Sequence, residues 1–265
     1  MEKIKVVVNG ALGKMGSETV KAVLNEPELE LVGMADIRSR GESIGYIIGD
    51  SQLDMIIEND AEKLIELTRP ALIIDFTSPQ SVFDSIRSFL KMGVSCVVGT
   101  TGLSDAELKQ LDQLALSKGV GVAVIPNFAI GAVLMMKFAR EAARYFPDVE
   151  IIELHHPQKL DSPSGTSIKT AELINEARSA RVPSGIREIE KIPGCRGGDA
   201  DAVRIHSVRL PGFVAHQEVI FGGLGQSLTI RHDSYDRVGF MPGVIMVIKK
   251  MKEIKGLVYG MDNLL

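Results

Sequence analysis

The run from Glu153 to Thr166, ELHHPQKLDSPSGT, puts an acid–base pair, a cation and an anion cradle into one short stretch. His155 and His156 close the apolar run Glu150–Leu154, which reads as a strand, and adjacent strand residues point to opposite faces. One histidine can therefore enter a cleft while the other is held elsewhere. Lys159 adds a cation close by. Ser164, Gly165 and Thr166 lead into a helix expected over Ser167–Arg178. Backbone N–H groups at such a helix start, with two hydroxyls, suit a carboxylate. The chemistry this points to is proton donation by a histidine to a substrate that carries carboxylates. A strand end followed by an ordinary N-cap is the plainer alternative. Zinc is disfavoured, because no third ligand stands at useful spacing and no HExxH pattern is present.

A second group of residues opens the chain. Gly10, Gly13 and Gly16 form a GxxGxxG pattern directly after the strand-like run Ile4–Val8, with Ala11, Leu12, Lys14 and Met15 between them. Gly10 allows a tight turn, Gly13 a close approach of backbone to a pyrophosphate, and Gly16 close packing of helix on sheet. Asp36 stands 20 positions beyond Gly16, at the end of a second strand-like run, where a carboxylate can accept from both ribose hydroxyls of a dinucleotide. Arg38, Arg40 and Lys14 offer charge to a 2′-phosphate instead. The expectation is a site for NADH and NADPH alike. Phe76 and Thr77 end the LIIDF run, and Gly99, Thr100 and Thr101 follow SCVV. Both turns fall at the carboxyl ends of parallel strands, where doubly wound sheets bind ligands.

The elements that must hold these groups fall into two patterns. Through residue 126, short β-branched runs alternate with amphipathic stretches: Ile4–Val8, Leu29–Ala35, Leu72–Phe76, Ser95–Val98 and Val120–Ile125 as strands, with helices at Lys14–Leu24, Pro79–Lys91 and Ser104–Leu116. Ser104 and Glu107 have capping-box spacing. That alternation predicts a parallel sheet covered on both faces. Beyond it come a helix over Ile130–Phe146 and three successive strands at Arg204–Leu210, Gln217–Phe221 and Ser227–His232. The fold class expected is α/β: an N-terminal doubly wound Rossmann-type parallel sheet plus a second α+β domain with an open mixed sheet. Arg181–Asp201, rich in glycine, proline and charge, reads as a long mobile loop. The tail over Val244–Met251 reads as helical, able to fold back on the first domain.

Composition narrows the function class. The chain has 265 residues, 45% hydrophobic and 24% charged, with a net charge of −4, the balance of a soluble globular protein. No basic excess and no tryptophan argue against nucleic acid as a partner. No run of about 18 apolar residues exists, so no transmembrane helix is expected, and the opening apolar run is too short for a signal-peptide core. Cys96 and Cys195 cannot build a disulfide framework or a CxxC pair. A cytoplasmic enzyme is the expectation.

Taken together, NGALGKMG, GTTG from Gly99, PNFAIG from Pro126 and the HHPQKLDSPSGT string resemble the 4-hydroxy-tetrahydrodipicolinate reductase (dihydrodipicolinate reductase) family over essentially the whole chain. The resemblance implies hydride transfer from NADH or NADPH to a ring carbon of a small cyclic dicarboxylate, with protonation at the neighbouring carbon and tetrahydrodipicolinate as product, in diaminopimelate and lysine biosynthesis. No metal is implied. It assigns the general acid to His155 and the second catalytic role to Lys159, with His156, Lys159, Ser164, Gly165, Thr166 and Arg237 binding substrate. Pro126, Asn127 and Phe128 join the cofactor site. It also implies a dinucleotide domain over 1–127 rejoined by a C-terminal helix over 238–265, a substrate and oligomerisation domain over 128–237, hinges near Pro126–Ile130 and Arg237, and a homotetramer. Around Arg209 the chain reads RLPGFVAH where the family shows a glycine-rich RxGxxxGxH. Another nicotinamide-dependent reductase of an imino or oxo acid would share the glycine loop, and so would a nucleotide-sensing binding protein. The first has no clear need of the PSGT turn, and the second no use for an acid beside an anion site.

Overall fold

The computed structural model describes residues 2–49, 54–178 and 189–265. In chain order the elements are β1 (Ile4–Asn9), α1 (Lys14–Asn25), β2 (Leu29–Ala35), α2 (Ile44–Ile48), β3 (Ile57–Glu58), α3 (Ala61–Thr68), β4 (Leu72–Asp75), α4 (Val82–Lys91), β5 (Ser95–Val98), α5 (Asp105–Lys118) and β6 (Gly121–Val124). There follow α6 (Ile130–Ala142), β7 (Asp148–His155), α7 (Gly165–Ala177), β8 (Gly198–Ala200), β9 (Val203–Arg209), β10 (Ala215–Gly223), β11 (Gln226–Ser234), α8 (Met241–Lys250) and β12 (Gly256–Tyr259). They form two compact units, 2–128 with 240–265, and 129–239. The chain passes from one to the other at Phe128–Ala129 and returns at Gly239–Phe240.

The first unit holds a parallel sheet in the order β12-β6-β5-β4-β1-β2-β3. Its strands carry apolar runs at their centres because helices cover both faces: Val6, Val7, Val8, Ile73, Ile74, Val97 and Val98 have no exposed surface. From β1 the chain builds outward through β2 and β3, then crosses back to build the other way from β4. The switch point therefore lies between β1 and β4, and there a doubly wound sheet opens a crevice at its carboxyl edge. The capping box of α5 is formed, with Ser104 Oγ accepting from Glu107 N and the Glu107 carboxylate accepting from Ser104 N.

The second unit is a mixed sheet in the order β11-β10-β7-β9-β8, in which only the β7–β9 pair is parallel. Helices α6 and α7 pack on one face, where Val149 and Ile151 meet Met135, Ala139, Ala171, Ile174, Ile205, Val219 and Phe221.

Three expectations need correction. The segment 238–265 is helical at Met241–Lys250, but Gly256–Tyr259 is a strand, β12, which extends the parallel sheet beside β6. Its place is set by pairing with β6, 135 residues away in sequence from Gly121 to Gly256, which local periodicity does not carry. Within the supposed loop Arg181–Asp201, Gly198–Ala200 forms β8 against β9; residues 181–188 of it lie outside the described residues. Helix α7 starts at Gly165, two residues earlier than expected, because Ser164 is its N-cap and accepts from Ser167 N. The insert carrying α2, β3 and α3 went unread, as its strand of two residues gives no alternation to detect.

Candidate active site

In the first unit a cleft of about 1160 Å³ opens at the carboxyl ends of β1, β4 and β5. The glycine loop contributes Gly10, Gly13, Lys14 and Met15; the turn after β2 contributes Asp36 and Arg38; the turns after β4 and β5 contribute Phe76, Thr77, Gly99, Thr100 and Thr101. Gly10 has φ +84°, and a Cβ there would stand 2.5 Å from the Phe76 carbonyl oxygen. At Gly16 a Cβ would stand 2.0 Å from the Gly10 carbonyl oxygen, so α1 can approach the turn only with glycine at that position. Ala11 is fully buried and Leu12 donates its N–H to Asp36 Oδ2 at 3.0 Å. Ala11, Leu12 and Gly16 thus hold the loop in shape and do not line the cleft.

Of the PNF segment, Phe128 is buried with its ring 5.7 Å from that of Phe76. Pro126 is exposed and Asn127 half-buried, and none of the three lines the cleft. Gly13 is the N-cap of α1 and brings no side-chain cap, and no acidic residue stands in the helix's first turn. The unclaimed N–H groups and the positive end of the helix dipole are left open to an anion, with no carboxylate of the first turn to compete. A pyrophosphate fits this cradle.

Asp36 is 3% exposed. Its Oδ1 accepts from Arg38 N and Nε, both at 2.9 Å, and its Oδ2 from Arg38 Nη2 at 2.9 Å. Burial raises the Asp36 carboxyl, but these bonds and the Leu12 N–H outweigh it and hold the group below the ordinary carboxylate range. The acid and the base read as rival cofactor selectors are therefore one ion pair.

Beneath the turns lies Asp75, which has no exposed surface. It accepts from Asn9 Nδ2 at 2.7 Å, Thr77 Oγ1 at 2.7 Å and Thr100 Oγ1 at 3.2 Å. One carboxylate ties the ends of β1, β4 and β5 together. Sequence reasoning assigned it no role, although an acid within LIIDF was the available signal. The cleft lining at Asn59, Asp60 and Glu62 was also missed, because it belongs to the unread insert.

In the second unit the core changes character at one level across three strands. On β7, Val149 and Ile151 are core, and Glu153 and His155 continue the same face. On β9, Val203 and Ile205 give way to Ser207 and Arg209; on β10, Val219 gives way to Gln217. The register pairs Glu153 with Ser207 and Gln217, and His155 with Arg209. His155 Nδ1 meets Glu153 Oε2. Arg209 grips Glu153 with Nη1 to Oε2 at 2.8 Å and Nη2 to Oε1 at 2.7 Å. Burial lowers the His155 pKa; the Glu153 hydrogen bond and charge oppose this, and Lys159 and Arg209 add to the lowering. The net direction is downward, so in the unliganded protein the ring is less readily charged at neutral pH than an ordinary histidine.

Lys159 donates to both carboxylate oxygens of Asp161 at 2.7 Å. Ser164 Oγ, expected as a ligand group, is occupied: it accepts from Ser167 N and meets Ser167 Oγ at 2.8 Å. Ser167 in turn donates to Gln217 Oε1 at 2.8 Å, and Gln217 Nε2 donates to Thr170 Oγ1 at 2.8 Å. This buried network anchors the start of α7 to β10 and leaves the N–H groups of Gly165 and Thr166, with the Thr166 hydroxyl, for an anion. His156 Nδ1 is buried with no partner among the described residues. Arg237 is exposed on a short 3-10 turn, Arg237–Phe240, with no ion pair or hydrogen bond of its side chain among the described residues. Glu153, Arg209 and Asp161 had no role in the sequence reading; the signal for Glu153 was its spacing of two from His155 on a strand. Among the described residues no group of three His, Cys, Asp or Glu could hold a metal ion, and no helix is long and apolar enough to cross a membrane.

Two family models cover the chain: "Dihydrodipicolinate reductase, N-terminus" over residues 4–128 and "Dihydrodipicolinate reductase, C-terminus" over 131–265. A protein of Syntrophomonas wolfei named 4-hydroxy-tetrahydrodipicolinate reductase is 63% identical over 264 residues, 100% of this chain and 99% of its own. One of the same name from Desulfitobacterium hafniense is 51% identical over 266 residues, all of both chains. The solved structure of dipicolinate-bound dihydrodipicolinate reductase from Paenisporosarcina sp. TG-14 matches at TM-score 0.87 and 47% identity, over 99% of this chain and 100% of its own. Amine dehydrogenase from Mycobacterium smegmatis, at 14% identity and TM-score 0.67 over 96% of this chain and 94% of its own, shares the fold. With both halves matched and relatives this similar end to end, the chain belongs to the dihydrodipicolinate reductase family, nicotinamide-dependent oxidoreductases of the 4-hydroxy-tetrahydrodipicolinate step.

Proposed function

We propose that the chain reduces 4-hydroxy-tetrahydrodipicolinate, after loss of water, to tetrahydrodipicolinate, with His155 as proton donor and Lys159 as its partner. The observation that carries the residue roles is the polar end of the second unit's core. There a histidine hydrogen-bonded to a buried carboxylate, a lysine and the open first turn of α7 follow one another in sequence. Bound NAD(P)H supplies the hydride. The glycine loop and the start of α1 receive the pyrophosphate, and Asp36 with Arg38 receives the adenosine ribose.

On substrate binding, a ring carboxylate takes Lys159 from Asp161, so that one carboxylate partner replaces another on a half-buried ammonium. Gly165 N, Thr166 N and the Thr166 hydroxyl receive a carboxylate, and His156 and Arg237 complete the substrate contacts. His155 then delivers a proton to the ring carbon next to the one that accepts hydride. The carboxylates also change the local field, since two negative charges beside His155 favour its imidazolium and offset burial.

Dipicolinate, bound in the Paenisporosarcina relative, is the probe. Calorimetric titration should show binding that weakens on Lys159→Ala, and no binding to the wild-type chain would contradict the substrate reading. Cofactor choice follows from the Asp36–Arg38 pair. With NADPH, Arg38 leaves Asp36 for the 2′-phosphate; with NADH, the ribose hydroxyls share Asp36 with Arg38. Arg38→Ala should therefore raise the KM for NADPH about 10-fold, the value of one charge-assisted pair, and that for NADH much less. Equal effects on both cofactors would show that Arg38 does not read the phosphate. The same reading takes the chain as a cytoplasmic homotetramer without a metal; light scattering after gel filtration tests the assembly.

A further inference from the structure

We propose that Glu153, held by Arg209, is the positioning residue for His155: it keeps the ring's Nδ1–H on a buried carboxylate and leaves Nε2 for the proton given to substrate. The inference rests on the reading of His155 as the acid.

Glu153 has no exposed surface and occupies the position that continues the row Val149, Ile151 on the helix-covered face of β7. An apolar residue would satisfy that row. A buried carboxylate is costly to keep unless paired and hydrogen-bonded throughout. Here both oxygens are engaged, Oε1 by Arg209 Nη2 and Oε2 by Arg209 Nη1 and His155 Nδ1, and the Ser207 side chain hydrogen-bonds the carboxylate as well. The arginine needs its place too, since register sets it opposite His155 on β9. Its Nη1 also donates to Val208 O at 2.8 Å and its Nη2 to Asp161 O at 2.9 Å. Leu210 N donates to His155 O at 3.1 Å. One guanidinium thus joins the carboxylate behind the acid to the loop that bears Lys159.

The proton balance follows. The imidazolium carries protons on both nitrogens. Its Nε2 proton goes to the ring carbon as hydride adds to the neighbouring carbon, and the product ring carries both hydrogens. The neutral imidazole left behind keeps Nδ1–H on Glu153, so Nε2 holds the free lone pair and is recharged from solvent at the same place. An amide at position 153 can donate to Nδ1 as well as accept from it, which lets the other tautomer form. The charged groups facing the ring are Glu153 on its own strand, Lys159 on the following loop and Arg209 on β9. Of these only Glu153 favours the charged ring.

The test is Glu153→Gln in the full chain, assayed beside Glu153→Asp and His155→Gln. Glu153→Gln should lower kcat about 10–10³-fold, the range for lost support behind a catalytic histidine, with NADH affinity unchanged. The pH at which kcat/KM falls on the alkaline side should move lower, because the charge that favoured the imidazolium has gone. Glu153→Asp should recover part of both. A packing role alone would lower the melting temperature and leave that limb in place. Should Glu153→Gln fail to fold, ¹⁵N shifts of the wild-type histidines carry the test, with the neutral His155 expected as the Nδ1–H tautomer. A wild-type rate and limb in Glu153→Gln, or an Nε2–H tautomer in the wild type, overturns the proposal while a slow His155→Gln leaves the acid reading standing. A fast His155→Gln overturns both.

Discussion

Replacing His155 with glutamine should lower kcat about 10²–10⁴-fold, the usual contribution of a positioned general acid, and leave dinucleotide affinity untouched. Glutamine fills much of the same volume and can still donate a hydrogen bond to Glu153, so the buried carboxylate keeps its partners. What it lacks is a transferable proton. The cofactor cleft belongs to the other unit, so NADH fluorescence enhancement should titrate as in the wild type. Near-normal turnover would remove His155 from the chemistry. The pH profile carries the same point with a definite sign. Burial lowers the His155 pKa in the unliganded protein, and kcat/KM reports the free enzyme's essential groups. The acid is active when protonated. Thus kcat/KM should fall as pH rises through a value below that of an ordinary histidine, and kcat, which reports the liganded enzyme, should fall at higher pH. The two limbs coinciding would show that the substrate's carboxylates do not act on this ring.

Lys159→Ala carries the second large effect, and it should divide differently. The lysine is 20% exposed, and Asp161 alone among the described side chains holds its ammonium. Removing it leaves the fold's buried networks intact, so stability should change little. A substrate carboxylate loses a charge-assisted bond worth about 1.5–3 kcal/mol, or about 10–10² in kcat/KM, with a rise in KM. A separate fall in kcat is expected on the proposed reading, in which the ammonium also brings the ring into line with His155. Asp161→Asn, which frees the lysine, should move KM the other way. Steady-state kinetics over a range of substrate concentration separates these outcomes, and an unchanged KM in Lys159→Ala would place the carboxylate elsewhere.

The parts of this arrangement that were legible in the sequence are those with periodicity or fixed spacing. Strands β1, β2, β4 and β5 each carry a short apolar run, Val6–Val8, Leu31–Ala35, Leu72–Ile74 and Cys96–Val98, and such runs mark a sheet covered on both faces. The glycine loop was readable because Gly10 and Gly16 are set by sterics, one by its positive φ and the other by its approach to the Gly10 carbonyl. What stayed hidden is what depends on register between distant strands. Arg209 is 54 residues from His155 in sequence and reaches Glu153 only because β9 lies parallel to β7 with those partners aligned. Asp75 unites three strand ends by the same kind of long-range alignment. At Ser164 the boundary differs from the one read: the helix begins two residues earlier, and in the unliganded chain the Ser164 hydroxyl caps it. Strands β3 and β8 were lost to shortness, having two and three residues, whereas β12, no shorter than β4 or β5, is defined by its pairing with β6 far away in sequence.

The central claim is that this chain reduces 4-hydroxy-tetrahydrodipicolinate with hydride from a nicotinamide and a proton from His155. Absorbance at the reduced-nicotinamide band, followed with NADH and NADPH in parallel while that substrate is generated enzymatically, tests it most directly. The account predicts oxidation of both cofactors that requires the complete mixture and is abolished in proportion by His155→Gln. Binding of both cofactors with no substrate-dependent oxidation of either would contradict it.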